Sequence, residues 1–230
     1  TKFLDFPPRS RVGDIVFRFD VARNYNMAQI PKEYEWILWL DADDIFRGGK
    51  ELRTVIDKAE KEKIDACYFN YIYLADIKDG KIINVLIEHL RERVIRNNDA
   101  YKWIAPIHET LIEQRPTQKR DYDECDVLHM ASQKSRDQSL DRNLRALEYT
   151  LFKDDGKDPR PIYYYAKALY DLSRPDTDEV AKKLIYMYLR GPNPSGWPEE
   201  RAQATEYLAE IYRRNGKLKE ALIEAHNALL

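Results

Sequence analysis

The feature that most constrains this chain is an apolar run, Trp36-Ile37-Leu38-Trp39-Leu40, that stops abruptly on Asp41-Ala42-Asp43-Asp44. The run is too short for a helix and rich in aromatic and branched side chains, so it is expected to be a buried central strand. A strand ending in carboxylates delivers them to the carboxyl edge of a sheet, where open α/β sheets place their ligands. Asp41 and Asp43 stand one residue apart and repel each other unless a cation lies between them. A hard divalent ion, Mg2+ or Mn2+, suits oxygen ligands and keeps positions open for phosphate oxygens. The alternative is that the pair solvates a turn and caps the helix that follows.

The surroundings predict interleaved strands and helices to about residue 132. Cys67 to Leu74 reads as a strand, and Asp79-Gly80 before Ile82-Ile83-Asn84-Val85-Leu86 is a hairpin signal. Further strand is expected at Arg93 to Arg96 and at Val127 to Met130. Helices are expected over Val21 to Gln29 and over Lys50 to Lys63, where Leu52, Val55, Ile56 and Ala59 fall on one face. Arg91, Arg93 and Arg96 are expected to form a row along one strand face, suited to diphosphate or an acidic acceptor, or to a charged sheet edge.

From about Ser135 the strand signals vanish. Leu140, Leu144, Leu147 and Leu151 mark one amphipathic helix, and Pro159 and Pro161 stand where the next begins. Tyr164-Tyr165-Ala166-Lys167-Ala168-Leu169 then lies over Tyr207-Leu208-Ala209-Glu210-Ile211-Tyr212. Each copy is followed by a turn, Ser173 to Asp176 or Asn215-Gly216-Lys217, and by a second helix carrying Ala181 or Ala221. Pro192 to Gly196 is expected to be an extended breaker between the copies. The division is therefore 1–132, an α/β domain, and 133–230, an all-α helical repeat.

Composition narrows the partners. With 38 basic and 40 acidic side chains the net charge is -2, without the basic face that bulk nucleic-acid binding requires. No stretch reaches the roughly 18 apolar residues of a membrane helix, and the start lacks the build of a secretory signal, so a cytoplasmic location is expected. Cys67 and Cys125 provide neither a disulfide framework nor a cysteine-rich zinc site. The chain opens on Thr1 and stops at Leu230 within an apolar helical pattern, and it is read as the middle of a longer protein.

The string ARNYNMAQIPKEYEWILWLDADD resembles the centre of family 2 glycosyltransferases of the GT-A, Rossmann-like fold, with Ala-Arg-Asn at a helix start and Leu-Asp-Ala-Asp after a strand. A second block, Arg96-Asn97-Asn98 and Trp103-Ile104-Ala105-Pro106-Ile107-His108-Glu109, is similar to the Trp-x-x-x-x-His-Glu segment of those enzymes. The helical half resembles tetratricopeptide repeats, which a subset of them carries after the catalytic domain. The start departs from the family, because a complete GT-A domain begins with a strand-helix-strand unit of roughly 30 residues or more. Phe6-Pro7-Pro8-Arg9 does not look like such a strand, so the donor pocket is expected to be incomplete.

The resemblance implies a metal-dependent, inverting transfer of a sugar from a nucleotide-diphosphate donor, UDP-sugar favoured, to a glycan, lipid or peptide acceptor. Asp43 would ligate Mn2+ or Mg2+, and Asp41 would reach the ribose or the metal through water. Arg23 would lie near the nucleotide or its phosphates, with Arg96 and His108 also on the substrate side. Glu109 would be the catalytic base, or a structural partner of an arginine. Trp103 would wall the sugar or acceptor site, or serve as core. His129 would complete the metal site, or be a hydrogen-bonded core residue; for His89 and His226 only the structural reading has context. The helical repeats would recognise the acceptor or a protein partner. Two other classes stay open: a non-catalytic interaction scaffold built on the repeats, and a metal-dependent nucleotidyltransferase.

Overall fold

The structure, a computed structural model, describes residues 16–130, 133–154, 158–190 and 197–229. The segments 6–9 and 192–196 singled out above lie outside the described residues. The chain divides into two compact units, one spanning Phe19–Asp137 and one containing Gln138–Leu230. The first is mixed α/β. Among the described residues no helix is long and apolar enough to cross a membrane.

The α/β unit runs α1 (Phe19–Ala28), β1 (Trp36–Leu38), β2 (Asp44–Arg47), α2 (Leu52–Lys61), β3 (Ala66–Lys78), β4 (Lys81–Arg96), β5 (Tyr101–Ile104), β6 (Thr110–Glu113) and β7 (Lys119–His129). Five strands form one sheet in the order β1-β4-β3-β7-β2, in which β3 and β7 are parallel and the other neighbours antiparallel. β5 and β6 form a separate hairpin. Val55 and Ala59 of α2 are fully buried against Cys67, Phe69, Val94, Tyr122 and Cys125 on one sheet face. Ile37, Ala66 and Ile95 pack on the other, with Met27 of α1, Ile30 beyond its end, and Tyr101 and Leu111 of the small hairpin. Cys67 and Cys125 are both buried free thiols.

The expected central strand is corrected in two ways. β1 covers only Trp36–Leu38, and it lies at the edge of the sheet among the described residues, paired to β4 alone. Its apolar character does not come from burial on two faces: Ile37 is buried, whereas Leu38 and Leu40 are 39% and 37% exposed. The two tryptophans serve as platforms for charged groups. Trp36 donates its Nε1–H to Glu60 (2.6 Å) and lies under Arg96, whereas Trp39 lies under Arg93, 4.0 Å from the guanidinium carbon to the ring centroid.

Other expectations hold with altered lengths. The two strand signals flanking His89 are one continuous ribbon strand, β4, joined to β3 by Asp79 (φ 50°) and Gly80 (φ 74°), the pair of left-handed residues that a tight hairpin turn needs. β2, β5 and β6 are short strands without a sequence signal of their own. Gly48, between β2 and α2, has φ +84°, and a Cβ there would meet the Glu124 carbonyl oxygen at 2.3 Å. It therefore lets the turn press against β7, where the register Asp44↔His129 is set.

The helical unit contains most of α3 (Gln133–Asp154), then α4 (Pro159–Asp171), α5 (Pro175–Arg190), α6 (Pro198–Arg214) and α7 (Leu218–Asn227). Leu144, Leu147 and Leu151 of α3 are buried. Asp158 caps α4 by accepting from the Arg160 N–H (3.0 Å), with Pro159 at the first helical position. The pairs α4/α5 and α6/α7 are the two expected helix-turn-helix copies, turning at Ser173 (φ 52°) and Gly216 (φ 74°).

Candidate metal and substrate site

Two connected clusters form at the end of β1. The first is built on Arg23 of α1, which donates from Nη2 to Asp41 Oδ1 (2.5 Å) and from Nε to Glu109 Oε1 (2.7 Å). Its guanidinium lies 5.0 Å from the Trp39 ring centroid and 4.9 Å from that of Trp103. The two indoles meet edge to face at 4.7 Å. Burial opposes the charge of Arg23, but Asp41 and Glu109 outweigh it and raise its pKa, so the cation is held by two carboxylates and two aromatic faces.

The next residue, Asn24, explains how distant segments meet here. Its Nδ2 donates to the Trp103 carbonyl (2.8 Å) and its Oδ1 accepts from the Trp103 N–H (2.9 Å). The Phe19 N–H adds a bond to the Pro106 carbonyl (3.0 Å). α1 is thereby fastened to the segment 103–109, and Glu109 reaches Arg23. The intervening backbone takes left-handed conformations at Ala105 (φ 73°) and His108 (φ 51°), strained for residues with a Cβ.

The second cluster is centred on Asp44, whose side chain is completely buried. Its Oδ1 accepts from Tyr71 Oη (3.2 Å) and from His129 Nδ1 (3.0 Å), and its Oδ2 accepts from the Asp41 N–H (3.1 Å). Since a carboxylate only accepts here, the Nδ1 of His129 carries the proton and Nε2 is the atom left for ligation. Arg93 Nη1 lies 3.2 Å from Asp44 Oδ2, close enough to pair but not aligned as a hydrogen bond. Arg93 is itself 1% exposed, between Trp39 and Tyr71 (4.0 and 4.2 Å).

Burial alone would raise the pKa of Asp44. The His129 hydrogen bond, the Asp41 N–H and the charges of Arg93 and His129 prevail and lower it. His129 moves the other way: its bond to Asp44 raises its pKa against burial, aided by the charges of Asp43, Asp44 and Asp41. Burial also lowers the pKa of Arg93 more than Asp44 restores it. The ring of His129 lies parallel to that of Tyr73, 5.4 Å away.

Asp43 is 40% exposed on its side chain, and its backbone oxygen accepts from Met130 N–H (2.8 Å). Asp43, Asp44 and His129 each offer a ligand atom within 4.8 Å of the others. With Asp44 engaged, one carboxylate and the imidazole remain that could serve a divalent ion, the carboxylate being the donor that suits Mn2+ or Mg2+. Asp43 and His129 are the natural ligands, because both Asp44 oxygens are already engaged and that residue orients the imidazole.

Of the residues singled out in the sequence, the fold joins Arg23, Asp41, Trp103 and Glu109 in one cluster and places Asp43 and His129 in the other. Asp41 lies outside the metal-sized group, being held by Arg23. Trp103 is 2% exposed and supports Arg23 from beneath. His108 is exposed on the strained segment before Glu109. Arg96 lies elsewhere: it donates to Glu60 (2.7 Å) and to the Ile64 carbonyl (3.3 Å), on the α2 side. The expected row of three arginines is not formed; the register steps from Cys67↔Val94 to Tyr68↔Glu92, leaving Arg93 as an extra, bulged residue. Arg91 and Arg93 both lie over Trp39, whereas Arg96 lies over Trp36. Asp44 was not singled out in the sequence, and Arg93 was expected only as one of an arginine row, not as the buried partner of Asp44. The sequence matches no protein-family model and no curated protein.

Proposed function

We propose that the α/β unit is a metal-dependent glycosyltransferase domain of the GT-A type, transferring a sugar from a nucleotide-diphosphate donor such as a UDP-sugar, with inversion. The observation that carries this reading is the clamp of Arg23 on both Asp41 and Glu109, directly beside the Asp43, Asp44 and His129 group. It joins the Ala-Arg-Asn, Asp-Ala-Asp and Trp-to-Glu109 segments into one site, as a shared chemistry requires.

Asp43 and His129 would hold Mn2+ or Mg2+, with Asp44 fixing the imidazole. Bound there, the ion supplies Lewis-acid charge neutralisation to the departing diphosphate. Arg23 keeps Asp41 and Glu109 apart and oriented; Asp41 faces the ribose side and Glu109 takes the proton of the acceptor hydroxyl. Trp39 and Trp103 exclude water from beneath this cation and so strengthen its pairs. The helical unit, read as tetratricopeptide-like, would recognise the acceptor or a protein partner.

The test is transfer of radiolabelled sugar from UDP-sugars in the presence of Mn2+, with Glu109→Gln and Asp43→Asn as comparisons. Transferred sugar that falls at least 100-fold in both variants is expected. A transferred nucleotide, or transfer undiminished in Asp43→Asn, would overturn the assignment.

A further inference from the structure

Three guanidinium groups crowd one indole, and one of them has no carboxylate. The guanidinium carbon of Arg93 lies 4.0 Å from the Trp39 ring centroid, that of Arg23 5.0 Å and that of Arg91 5.7 Å. Arg23 is paired with Asp41 and Glu109, and Arg93 faces Asp44. Arg96, over Trp36, is paired with Glu60. Arg91 is partly buried, like Arg23 and Arg96, yet it makes neither an ion pair nor a hydrogen bond among the described residues. Charges withdrawn from water are normally paired.

The donors behind Arg91 are unsatisfied as well. Nε and Nη1 of Arg93, a residue only 1% exposed, and Nε1 of Trp39 are buried without a hydrogen bond. Buried donors are seldom left in this state, because each loses its water without gaining a partner. Asp44 leaves them unserved: its Oδ1 accepts from Tyr71 and His129, its Oδ2 accepts from the Asp41 N–H, and Arg93 Nη1 is out of line with Oδ2. Burial is the main cause that lowers the pKa of Arg93, and the charge of Arg91 adds to it. Burial first, then Arg91 and Arg93, lower the pKa of His89. The corner between Trp39 and His89 thus holds an excess of positive charge and of donors.

Such a corner takes a group that only accepts, carries negative charge and offers several oxygens. A phosphate meets all three needs, and the planar fork of an arginine matches its geometry. Arg93 is the bulged residue of β4, and bulges gather beside active sites, where they re-aim a side chain. We propose that Arg91, with the charge of Arg93 behind it, is a phosphate-binding subsite on the Trp39 side of the Asp43 and His129 group. Arg91 makes the contact, because it has no bond to give up; Arg93 stays buried and strengthens the attraction through a medium of low dielectric. Arg23, expected near the phosphates, already bonds two carboxylates, so that role passes to Arg91. The subsite stands on these donors and not on the transferase reading. Within that reading, the phosphate belongs either to the departing diphosphate or to the acceptor.

Isothermal titration of the chain with inorganic pyrophosphate in metal-free buffer tests the subsite, and titration with UDP in the presence of Mn2+ identifies the source. Pyrophosphate is expected to bind, with its dissociation constant raised about 10-fold or more by Arg91→Met, which removes a charge-assisted bond. Arg91→Lys keeps the charge but not the fork and should raise it by less. Urea unfolding of both variants at the same midpoint as the native chain would show that the fold is intact. No binding of pyrophosphate, or binding that Arg91→Met leaves unchanged, overturns the proposal. When pyrophosphate binding depends on Arg91, UDP weakened by the same factor assigns the subsite to the donor diphosphate, and UDP that binds Arg91→Met undiminished assigns it to a phosphate on the acceptor. Pyrophosphate bound through Arg91 by a chain that binds no UDP supports the subsite and counts against the UDP-sugar reading alone.

Discussion

Asp43 and Asp44 are adjacent in sequence and belong to the same cluster, yet their substitution is expected to differ sharply in stability. Asp44→Asn preserves shape but removes the charge that faces the fully buried Arg93 and the hydrogen-bonded His129. A hydrogen bond to a charged group contributes about 1.5–3 kcal/mol, and removing one partner of a buried pair costs about 3–5 kcal/mol because the other charge stays buried. Asn keeps a single acceptor oxygen, which can serve the Tyr71 and His129 side or the Asp41 N–H but not both, so about 3 kcal/mol is expected as the smallest cost, or roughly a 10 °C fall in the melting temperature of a unit of this size. Asp43→Asn alters a side chain that is 40% exposed, and is expected to change stability by less than about 0.5 kcal/mol. Urea unfolding followed by tryptophan fluorescence reads the relevant unit, since Trp36, Trp39 and Trp103 lie in it. Combining Asp44→Asn with Arg93→Met, which removes both charges, should recover at least half of the loss. An Asp44→Asn cost below about 1 kcal/mol, or no larger than that of Asp43→Asn, would refute the buried-pair argument.

Three further outcomes follow from the same geometry. Asn24→Ala removes both bonds to the Trp103 backbone and should cost about 2 kcal/mol in urea unfolding, at about 1 kcal/mol per hydrogen bond; Asn24→Asp, which keeps only the acceptor, should fall between. Gly48→Ala drives a Cβ toward the Glu124 carbonyl and should lower the melting temperature markedly, whereas Gly216→Ala, with open space at its Cβ, carries only the cost of positive φ, about 1 kcal/mol. Burial pushes the thiols of Cys67 and Cys125 up to about 12 and about 11, so both should resist a thiol reagent at pH 8 in the folded chain and react promptly in urea.

The α/β and helical halves were legible because period and punctuation carry them. The face formed by Leu52, Val55, Ile56 and Ala59, the Asp79-Gly80 turn and the two aromatic repeat helices all reappear where pattern placed them. The role of Trp36 to Leu40 was misread because unbroken hydrophobicity normally means burial on both faces, whereas Trp36 and Trp39 here carry arginines on their rings. Arg23, Asp41 and Glu109 were legible as types, but their meeting depends on Asn24 clasping the backbone of Trp103, a long-range bond with no local signature. Asp44 was hidden beside a more conspicuous Asp-x-Asp pair. It emerges only when β2, which has no pattern of its own, pairs with β7 and sets Asp44 opposite His129. The pairing of Arg93 with Asp44 was hidden because the one-residue bulge that carries Arg93 has no signature in the sequence.

The central claim is that Asp43 and His129 hold a divalent cation, with Asp44 behind the imidazole. Anomalous diffraction from crystals of the chain grown with Mn2+ tests it most directly. The account predicts a peak about 2 Å from an Asp43 carboxylate oxygen and from His129 Nε2, lost in His129→Ala. A manganese peak elsewhere, or none at this cluster when the ion is bound to the chain, would contradict it.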